Sequence, residues 1–175
     1  MKRSRPEVAE PLIDLASLYR EYAADVRRFA LYLSGDAALA DDLVSEVFVR
    51  VWTARDRVDL TTVRAYLFAI ARNLFLKHRR DQSRRRPLDE RMAADEPDPE
   101  HRMASVSDWQ AVLAALAKLP DIDRAALLMR ADEGLPYEEI AAALGISTTA
   151  AKVKVHRSRL KLAGTLKAIP GKGKE

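Results

Sequence analysis

The sequence contains no cysteine, which excludes a disulfide framework, thiolate metal ligands and a cysteine nucleophile. Glycine is rare, at 6 of 175 residues, and aromatic residues make up only 6% of the chain. No apolar run reaches the roughly 18 residues that a membrane-spanning helix needs, so we expect no membrane insertion. The basic N-terminus lacks the following apolar stretch of a secretory signal, and we therefore expect a cytoplasmic protein.

Patterns typical of catalysis are also scarce. The three histidines, His78, His101 and His156, lie far apart and lack the spacing of metal ligands on one helix. There is no glycine-rich phosphate-binding loop. Asp41 and Asp42 are adjacent, which does not suit a pair of carboxylates that work as acid and base. We therefore expect a protein that is not an enzyme and has no cofactor or metal.

The charge, in contrast, is clearly segmented. The net charge of +4 divides into +1 for residues 1–11, +4 for 12–86, −5 for 87–108 and +4 for 109–175. The acidic segment also contains three prolines, and this composition favours an irregular linker. The two long basic segments carry most of the apolar residues. The predicted organisation is an N-terminal tail at 1–11, a domain at 12–86, a linker at 87–108, a domain at 109–166 and a C-terminal tail at 167–175.

Apolar residues recur at helical spacing in both basic segments, and strand-like alternation is rare. In the first segment, helices are predicted at about 12–33, 38–52 and from 62 into a basic end at 77–86. Phe48 and Trp52 are expected in its core. In the second segment, helices are predicted at about 109–119, 122–130, 137–144 and 148–162. The fold class is therefore all-α, with two small helical domains joined by an acidic flexible linker.

The strongest local pattern is a helix-turn-helix that starts at Tyr137. Ala141 supplies the small residue needed where the two helices cross, and Gly145 tolerates the positive φ of a tight turn. Ser147 can cap the second helix. The packed inner face is predicted to consist of Ile140, Leu144, Ile146, Ala151 and Val155.

The second helix of this motif is basic on its outer face. It has no acidic residue between Thr148 and Leu166, whereas the first helix carries Glu138 and Glu139. A basic second helix beside an acidic first one fits docking in the DNA major groove. The alternative is a helical bundle with one solvated basic helix. The turn, the packing pattern and the charge together favour DNA binding.

Three motifs, in this order, resemble the sigma-70 family of bacterial RNA polymerase sigma factors, in its short extracytoplasmic-function (ECF) group. Residues 40–52, ADDLVSEVFVRVW, resemble the polymerase-binding helix of conserved region 2. Residues 63–73, VRAYLFAIARN, resemble the promoter-melting segment that follows it. Leu119-Pro120, YEEIA at 137–141 and KVKVHRSRL at 152–160 resemble region 4. The resemblance extends over about residues 12–165.

The resemblance implies an alternative sigma factor that binds core polymerase and directs initiation at promoters through their −10 and −35 elements. The helix at 38–52 would dock on the clamp helices of the largest catalytic subunit. An ordinary solvated helix face is the alternative for each polar residue there. The candidate polymerase contacts are Asp41, Asp42, Glu46 and Arg50.

The −10 element would be read by the loop after this helix and by the next helix. A flipped base costs a few kcal/mol and needs a pocket, which the loop would supply, although a simple helix connection fits its sequence too. The basic helix end can neutralise phosphates, and the helix dipole alone also favours cations there. The candidates are Arg55, Asp56, Arg57, Asp59, Thr61, Arg64, Arg72, Asn73, Lys77 and Arg80.

The −35 element would receive the second helix of the helix-turn-helix, whose N-terminal half carries base readers. Basic side chains can read guanine edges, and Val153, on the charged side of the helix, can pack on a thymine methyl. The predicted base readers are Lys152, Val153, His156 and Arg157. The predicted phosphate contacts, which position the protein, are Thr148, Thr149, Lys154 and Arg159.

The resemblance also implies control by an anti-sigma factor, besides core polymerase and promoter DNA as partners. For the acidic linker, a path toward the polymerase active-site cleft and a soluble spacer both stay open. The alternative function is a helix-turn-helix transcription regulator, in which residues 38–75 would bind a ligand or dimerise. A nonspecific nucleic-acid binder is a third class.

Overall fold

The computed structural model describes residues 14–54, 62–85 and 108–167. The loop candidates Arg55, Asp56, Arg57, Asp59 and Thr61 lie outside these residues, as does the predicted linker except Asp108. Within the described ranges the chain forms seven α-helices and no strand, which confirms the all-α prediction. They are α1 (Leu15–Ser34), α2 (Ala37–Thr53), α3 (Val63–Arg85), α4 (Asp108–Ala117), α5 (Asp121–Ala131), α6 (Tyr137–Leu144) and α7 (Thr148–Lys167).

The connection between α1 and α2 consists of only two residues, Gly35 and Asp36, which end one helix and begin the next. Gly35 adopts φ 74°, a left-handed conformation that suits glycine, and its N–H donates to the Leu31 carbonyl at 2.7 Å. Asp36 then caps α2, accepting a hydrogen bond from the Leu39 N–H at 3.0 Å. The chain reverses at once, so α1 and α2 pack side by side as neighbours.

The first half of the molecule is a three-helix bundle of α1, α2 and α3. Its centre holds the fully buried rings of Phe29 and Phe68, whose centroids lie 4.9 Å apart. Val47 and Val51 from α2 are buried as well. Apolar residues at helical spacing therefore meet on one side of each helix, as the periodicity predicts.

The prediction for Phe48 is confirmed, while that for Trp52 is wrong. Phe48 is only 4% exposed and its ring packs against Tyr19 with the centroids 4.9 Å apart, whereas Trp52 is 46% exposed. At 3.6 residues per turn, Trp52 lies about 40° further around α2 than Phe48. That rotation carries the indole past the edge of the buried stripe.

The second half consists of α4 to α7. Met129 of α5, Ile140 of α6 and Val155 of α7 are fully buried where these helices meet. None of the helices in the described part of the chain has the length and apolar composition needed to cross a membrane.

The two halves pack against each other, a feature that the sequence analysis did not predict. Helix α1 contacts α4 and α5, and α3 contacts α5 and α6. The rings of Tyr32 and Trp109 contact each other across this interface in a tilted arrangement, with their centroids 5.0 Å apart. Buried apolar residues of both halves form one continuous cluster. This closed arrangement decides which predicted site residues are accessible.

Candidate nucleic-acid interface

The turn of the helix-turn-helix has the predicted local geometry. Gly145 adopts φ 65°, and the N–H of Ile146 donates to the Ala141 carbonyl at 3.0 Å. Ala141 is buried where α6 meets α7. The hydroxyl of Ser147 accepts a hydrogen bond from the Ala150 N–H at 3.1 Å, which confirms it as the cap of α7.

The rotation of α7 about its axis is set by three buried residues. Ala151, Val155 and Ser158 lie on one side of the helix at intervals of four and three residues, and all three are buried. The Ser158 hydroxyl donates to the Asp123 carbonyl at 3.2 Å, which ties α7 to α5. The opposite side of α7 must therefore face solvent.

That solvent-facing side contains the predicted base readers of the −35 element. Lys152, His156 and Arg157 are exposed, and so is Val153 at 48%. An exposed valine among cations confirms that Val153 lies on the charged side of the helix. Since these side chains can reach a ligand without any rearrangement of α7, the face suits a DNA groove.

The predicted phosphate contacts of α7 are not equally accessible. Thr149 and Arg159 are exposed, and Thr148 is half-buried. Lys154 is half-buried too, and its ammonium lies 2.8 Å from the buried carboxylate of Asp123. In this structure Lys154 neutralises Asp123, so it contributes to the packing of α7 on α5.

The predicted −10 residues of α3 divide into two groups. Asn73, Lys77 and Arg80 are exposed. Arg72 is half-buried, and its Nε has no hydrogen-bond partner among the described residues. Burial lowers the pKa of Arg72, although an arginine remains charged at neutral pH.

Arg64 of α3 is engaged by the other half of the molecule. Its guanidinium donates to the Glu133 carboxylate at 2.6 Å and to Asp25 at 3.4 Å. Glu133 could not be identified from the sequence, because its partner Arg64 lies 69 positions away and local spacing does not indicate so distant a pair. The acidic dipeptide Asp132-Glu133 before the turn at Gly134 is the sequence feature that could have pointed to an ion pair here.

The predicted polymerase contacts on α2, Asp41, Asp42, Glu46 and Arg50, are all exposed. Asp41 accepts two hydrogen bonds from Arg27, at 2.5 and 3.3 Å, and this contact lowers the pKa of the Asp41 carboxyl. Arg50 pairs with Glu46 one turn earlier at 3.2 Å. Ion pairs between exposed side chains stabilise a fold only weakly, so a partner protein can replace them at little cost.

A cleft separates the helix that carries the predicted polymerase contacts from a helix that carries predicted −10 contacts. It has a volume of about 220 Å³ and lies between α2 and α3. Asp42 and Glu46 line one side and Lys77 lines the other. The predicted polymerase and −10 contacts thus border a common surface. Within the described ranges, no three His, Cys, Asp or Glu side chains group closely enough to hold a metal ion.

Two family models match separate parts of the chain. The model of sigma-70 region 2 matches residues 18–85, and the model of sigma-70 region 4 matches residues 109–162. The first range contains most of α1 and all of α2 and α3, and the second contains the helix-turn-helix with the exposed basic face.

Curated relatives include the ECF RNA polymerase sigma factor SigE of Mycolicibacterium smegmatis, which is 38% identical over 153 residues. That alignment covers 83% of this chain and 58% of SigE, so the chain spans less than two thirds of that relative. The ECF RNA polymerase sigma factor SigL of Mycobacterium tuberculosis is 32% identical over 160 residues, which cover 89% of this chain and 90% of SigL.

Two solved structures are similar over most of the chain. The sigma factor RpoE of Bartonella quintana, in complex with the anti-sigma factor NepR, has a TM-score of 0.74 and 26% identity over 90% of this chain and 99% of that chain. CnrH, in complex with the cytosolic domain of CnrY, has a TM-score of 0.63 and 26% identity over 89% of both chains.

Proposed function

Because this chain belongs to the extracytoplasmic-function group of the sigma-70 family, we propose that it is an alternative sigma factor that binds core RNA polymerase and directs promoter-specific initiation. One observation supports this proposal most strongly. The helix-turn-helix within the region 4 match holds α7 with a face of exposed cations turned to solvent. A DNA-reading helix needs such a face.

The second half, residues 109–166, reads the −35 element. Lys152 and Arg157 donate to guanine edges in the major groove, and Val153 packs on a thymine methyl. His156 is the fourth base reader. The remaining contacts go to phosphates, which position the helix without specifying sequence. They come from Thr148, Thr149 and Arg159, and from Lys154 if it exchanges Asp123 for a phosphate.

The first half, residues 12–86, reads the −10 element and binds polymerase. The exposed Asn73, Lys77 and Arg80 contact DNA from α3, together with the half-buried Arg64 and Arg72. The loop residues Arg55, Asp56, Arg57, Asp59 and Thr61 receive the flipped base. The carboxylates and guanidinium of α2 dock on the polymerase clamp helices and exchange their weak surface pairs for intermolecular ones. Residues 87–108 connect the halves as an acidic linker.

An anti-sigma factor controls the protein. The RpoE relative was solved with the anti-sigma factor NepR, and this likeness extends over 90% of the chain. Because core polymerase is a cytoplasmic enzyme, the chain acts in the cytoplasm. We therefore expect the native protein to copurify with an anti-sigma factor from uninduced cells. A native protein that is found only free or on polymerase would contradict this control.

Reconstitution with core polymerase tests the function. A sigma factor added alone to core polymerase gives RNA with defined 5′ ends on genomic DNA, and mapping these ends yields both elements together. A transcription regulator would change initiation only when another sigma factor is present. A nonspecific binder would show no preference for promoter over random duplex. Absence of defined starts with core polymerase would overturn the proposal.

A further inference from the structure

A second cleft, separate from the one between α2 and α3, lies beside the C-terminal part of α3. Its walls come from α3, from the connection between α1 and α2, and from the turn and first residues of α5. Its volume is about 630 Å³, within the range of roughly 300–1,000 Å³ that is typical of sites for small molecules. Its cations are Arg79, Lys118 and Arg124, and its carboxylates are Asp36 and Asp121.

Two of these cations share one carboxylate. Arg79 donates from Nη1 to one oxygen of Asp121 at 2.5 Å, and Arg124 donates from Nη2 to the other oxygen at 2.7 Å. Both guanidinium groups also lie 5.8 Å from the centroid of the Phe75 ring. The ring and the carboxylate thus hold two guanidinium groups next to each other. Guanidinium groups in fixed positions suit anions that offer several oxygen atoms.

The positive charge around Asp121 exceeds what this carboxylate compensates. Arg124 is only 6% exposed, and burial lowers its pKa, with the nearby charge of Arg79 acting in the same direction. The charge of Asp121 also acts on Arg72, whose pKa burial lowers too. Among the described residues, the buried Nε atoms of Arg72 and Arg124 have no hydrogen-bond partner. Buried charges normally have a counter-charge and full hydrogen bonding, so an additional anion would stabilise this cluster.

The N-terminus of α5 borders the same cleft. Pro120 precedes the helix and lines the cleft, and it makes no side-chain cap to the first N–H groups of α5. The first backbone hydrogen bond of this turn is donated by the Arg124 N–H to the Pro120 carbonyl at 2.8 Å. The N-terminal end of a helix carries a partial positive charge, which adds to that of the side chains.

The cleft does not share a face with the predicted DNA contacts of α3. Successive residues of an α-helix are about 100° apart, so Arg79 lies on the side of α3 opposite Lys77. Arg80 and Asn73 lie on the Lys77 side by the same geometry, whereas Phe75 lies on the Arg79 side. A duplex that contacts Lys77 and Arg80 therefore leaves the cleft free.

We propose that this cleft binds the diphosphate group of a small molecule, through Arg79, Arg124 and Lys118. A diphosphate offers several negative charges and more acceptor oxygens than one carboxylate, which suits three cations in a concave site. Asp121 then serves to orient the two guanidinium groups. Free pyrophosphate and a nucleoside diphosphate present the same chemistry, and the volume of the cleft admits either. The inference goes beyond the proposed function, because these three cations are absent from the predicted DNA and polymerase contacts.

Isothermal titration calorimetry on the full chain tests the site and separates the two sources. The titrants are pyrophosphate, ADP and GDP, with sulfate and adenosine as comparisons. At least one diphosphate is expected to bind with a dissociation constant below about 1 mM, and sulfate and adenosine at least tenfold more weakly. Tighter binding of ADP or GDP than of pyrophosphate identifies a nucleotide site, and the reverse order identifies a site for the free ion.

Exposed cations of the cleft provide variants that should leave the fold intact. Arg79→Gln and Lys118→Gln each remove one charge-assisted contact and are expected to weaken diphosphate binding roughly tenfold. The matched control is Arg27→Gln, which makes the same change in an exposed ion pair with Asp41, outside the cleft. Its affinity for the diphosphates should equal that of the wild-type chain.

Three results would overturn the proposal. The first is no binding of any diphosphate at millimolar concentration. The second is equal weakening in Arg27→Gln and Arg79→Gln, or sulfate binding as tight as that of the diphosphates, since either indicates a general attraction of a basic chain for anions. The third is displacement of the diphosphate by a short duplex of random sequence, which would assign these cations to DNA. None of these measurements involves transcription, so failure of the proposed function would leave the result for the cleft unaffected.

Discussion

The two helices that are expected to read DNA, α3 and α7, differ in how they present their cations. On α7, Lys152, His156 and Arg157 are exposed because α7 is oriented by the core of its own half. On α3, Arg64 and Arg72 are half-buried, and Arg64 pairs with Glu133 of the other half. The predicted base readers of α7 are therefore accessible whatever the position of the other half, whereas Arg64, one of the predicted −10 contacts of α3, is engaged by it.

The largest effect is expected from a change in the core of the first half. Phe68→Ala removes a fully buried ring that packs on Phe29, which costs about 3–5 kcal/mol in the free energy of unfolding. Because one apolar cluster connects the halves, the loss also destabilises the interface around Trp109. Thermal denaturation followed by circular dichroism and by Trp109 fluorescence, in a Trp52→Phe background, should show both signals moving to lower temperature. A Trp109 transition that does not move would mean that the halves are independent.

A smaller effect, limited to DNA binding, is expected from a substitution on the exposed face of α7. Arg157→Ala removes one predicted base contact and should weaken binding to a −35 duplex by about 1–3 kcal/mol, with the discrimination at one base pair relaxed. The measurement is anisotropy on labelled duplexes, with Lys161→Ala as a control for general charge on the same helix. Affinity for core polymerase should be unchanged, and a loss of that affinity would refute the division of roles between the halves.

On α3, we expect Lys77 to contact a phosphate, which adds to DNA affinity without distinguishing one base sequence from another. Lys77→Ala should weaken promoter binding of the holoenzyme about equally for all sequences and reduce the slope of log affinity against log salt by about 1. Salt titrations of the wild-type and variant holoenzymes measure this slope. An altered preference among −10 sequences, with the slope unchanged, would identify Lys77 as a base reader instead.

The smallest effect comes from the two glycine turns, one in each half. Gly35 and Gly145 have φ of 74° and 65°, and an added Cβ would meet nothing within 4 Å at either position. The cost of Gly35→Ala and Gly145→Ala is therefore backbone strain alone, about 1–2 kcal/mol for each. Chemical denaturation should give similar values for the two variants. A much larger loss at one turn would reveal a packing role that the geometry does not contain.

Features determined by neighbours in the chain could be predicted from the sequence. The positive φ of Gly145, the cap at Ser147 and the exposure of Val153 all follow from residues within one or two helical turns. The accessible polar side of α2 follows from helical periodicity in the same way.

Features that depend on distant parts of the chain could not be predicted. Arg28 and Glu133 are 105 positions apart, and no local pattern matches one charge to the other. Arg72 likewise lies close enough to Asp121, 49 positions later in the chain, for that carboxylate to favour its charged form. Trp52 shows a different limit, because helical spacing alone does not reveal where the buried stripe of α2 ends.

In the proposed function, one chain reads two promoter elements with two separate halves. The most direct test inserts base pairs between the −35 and −10 elements of a promoter identified by start mapping. Because B-DNA turns once in about 10.5 base pairs, an insertion of about 5 turns the −35 element to the opposite side of the duplex. We expect a strong loss of defined transcription with core polymerase and this chain. Transcription unchanged by the insertion would contradict it.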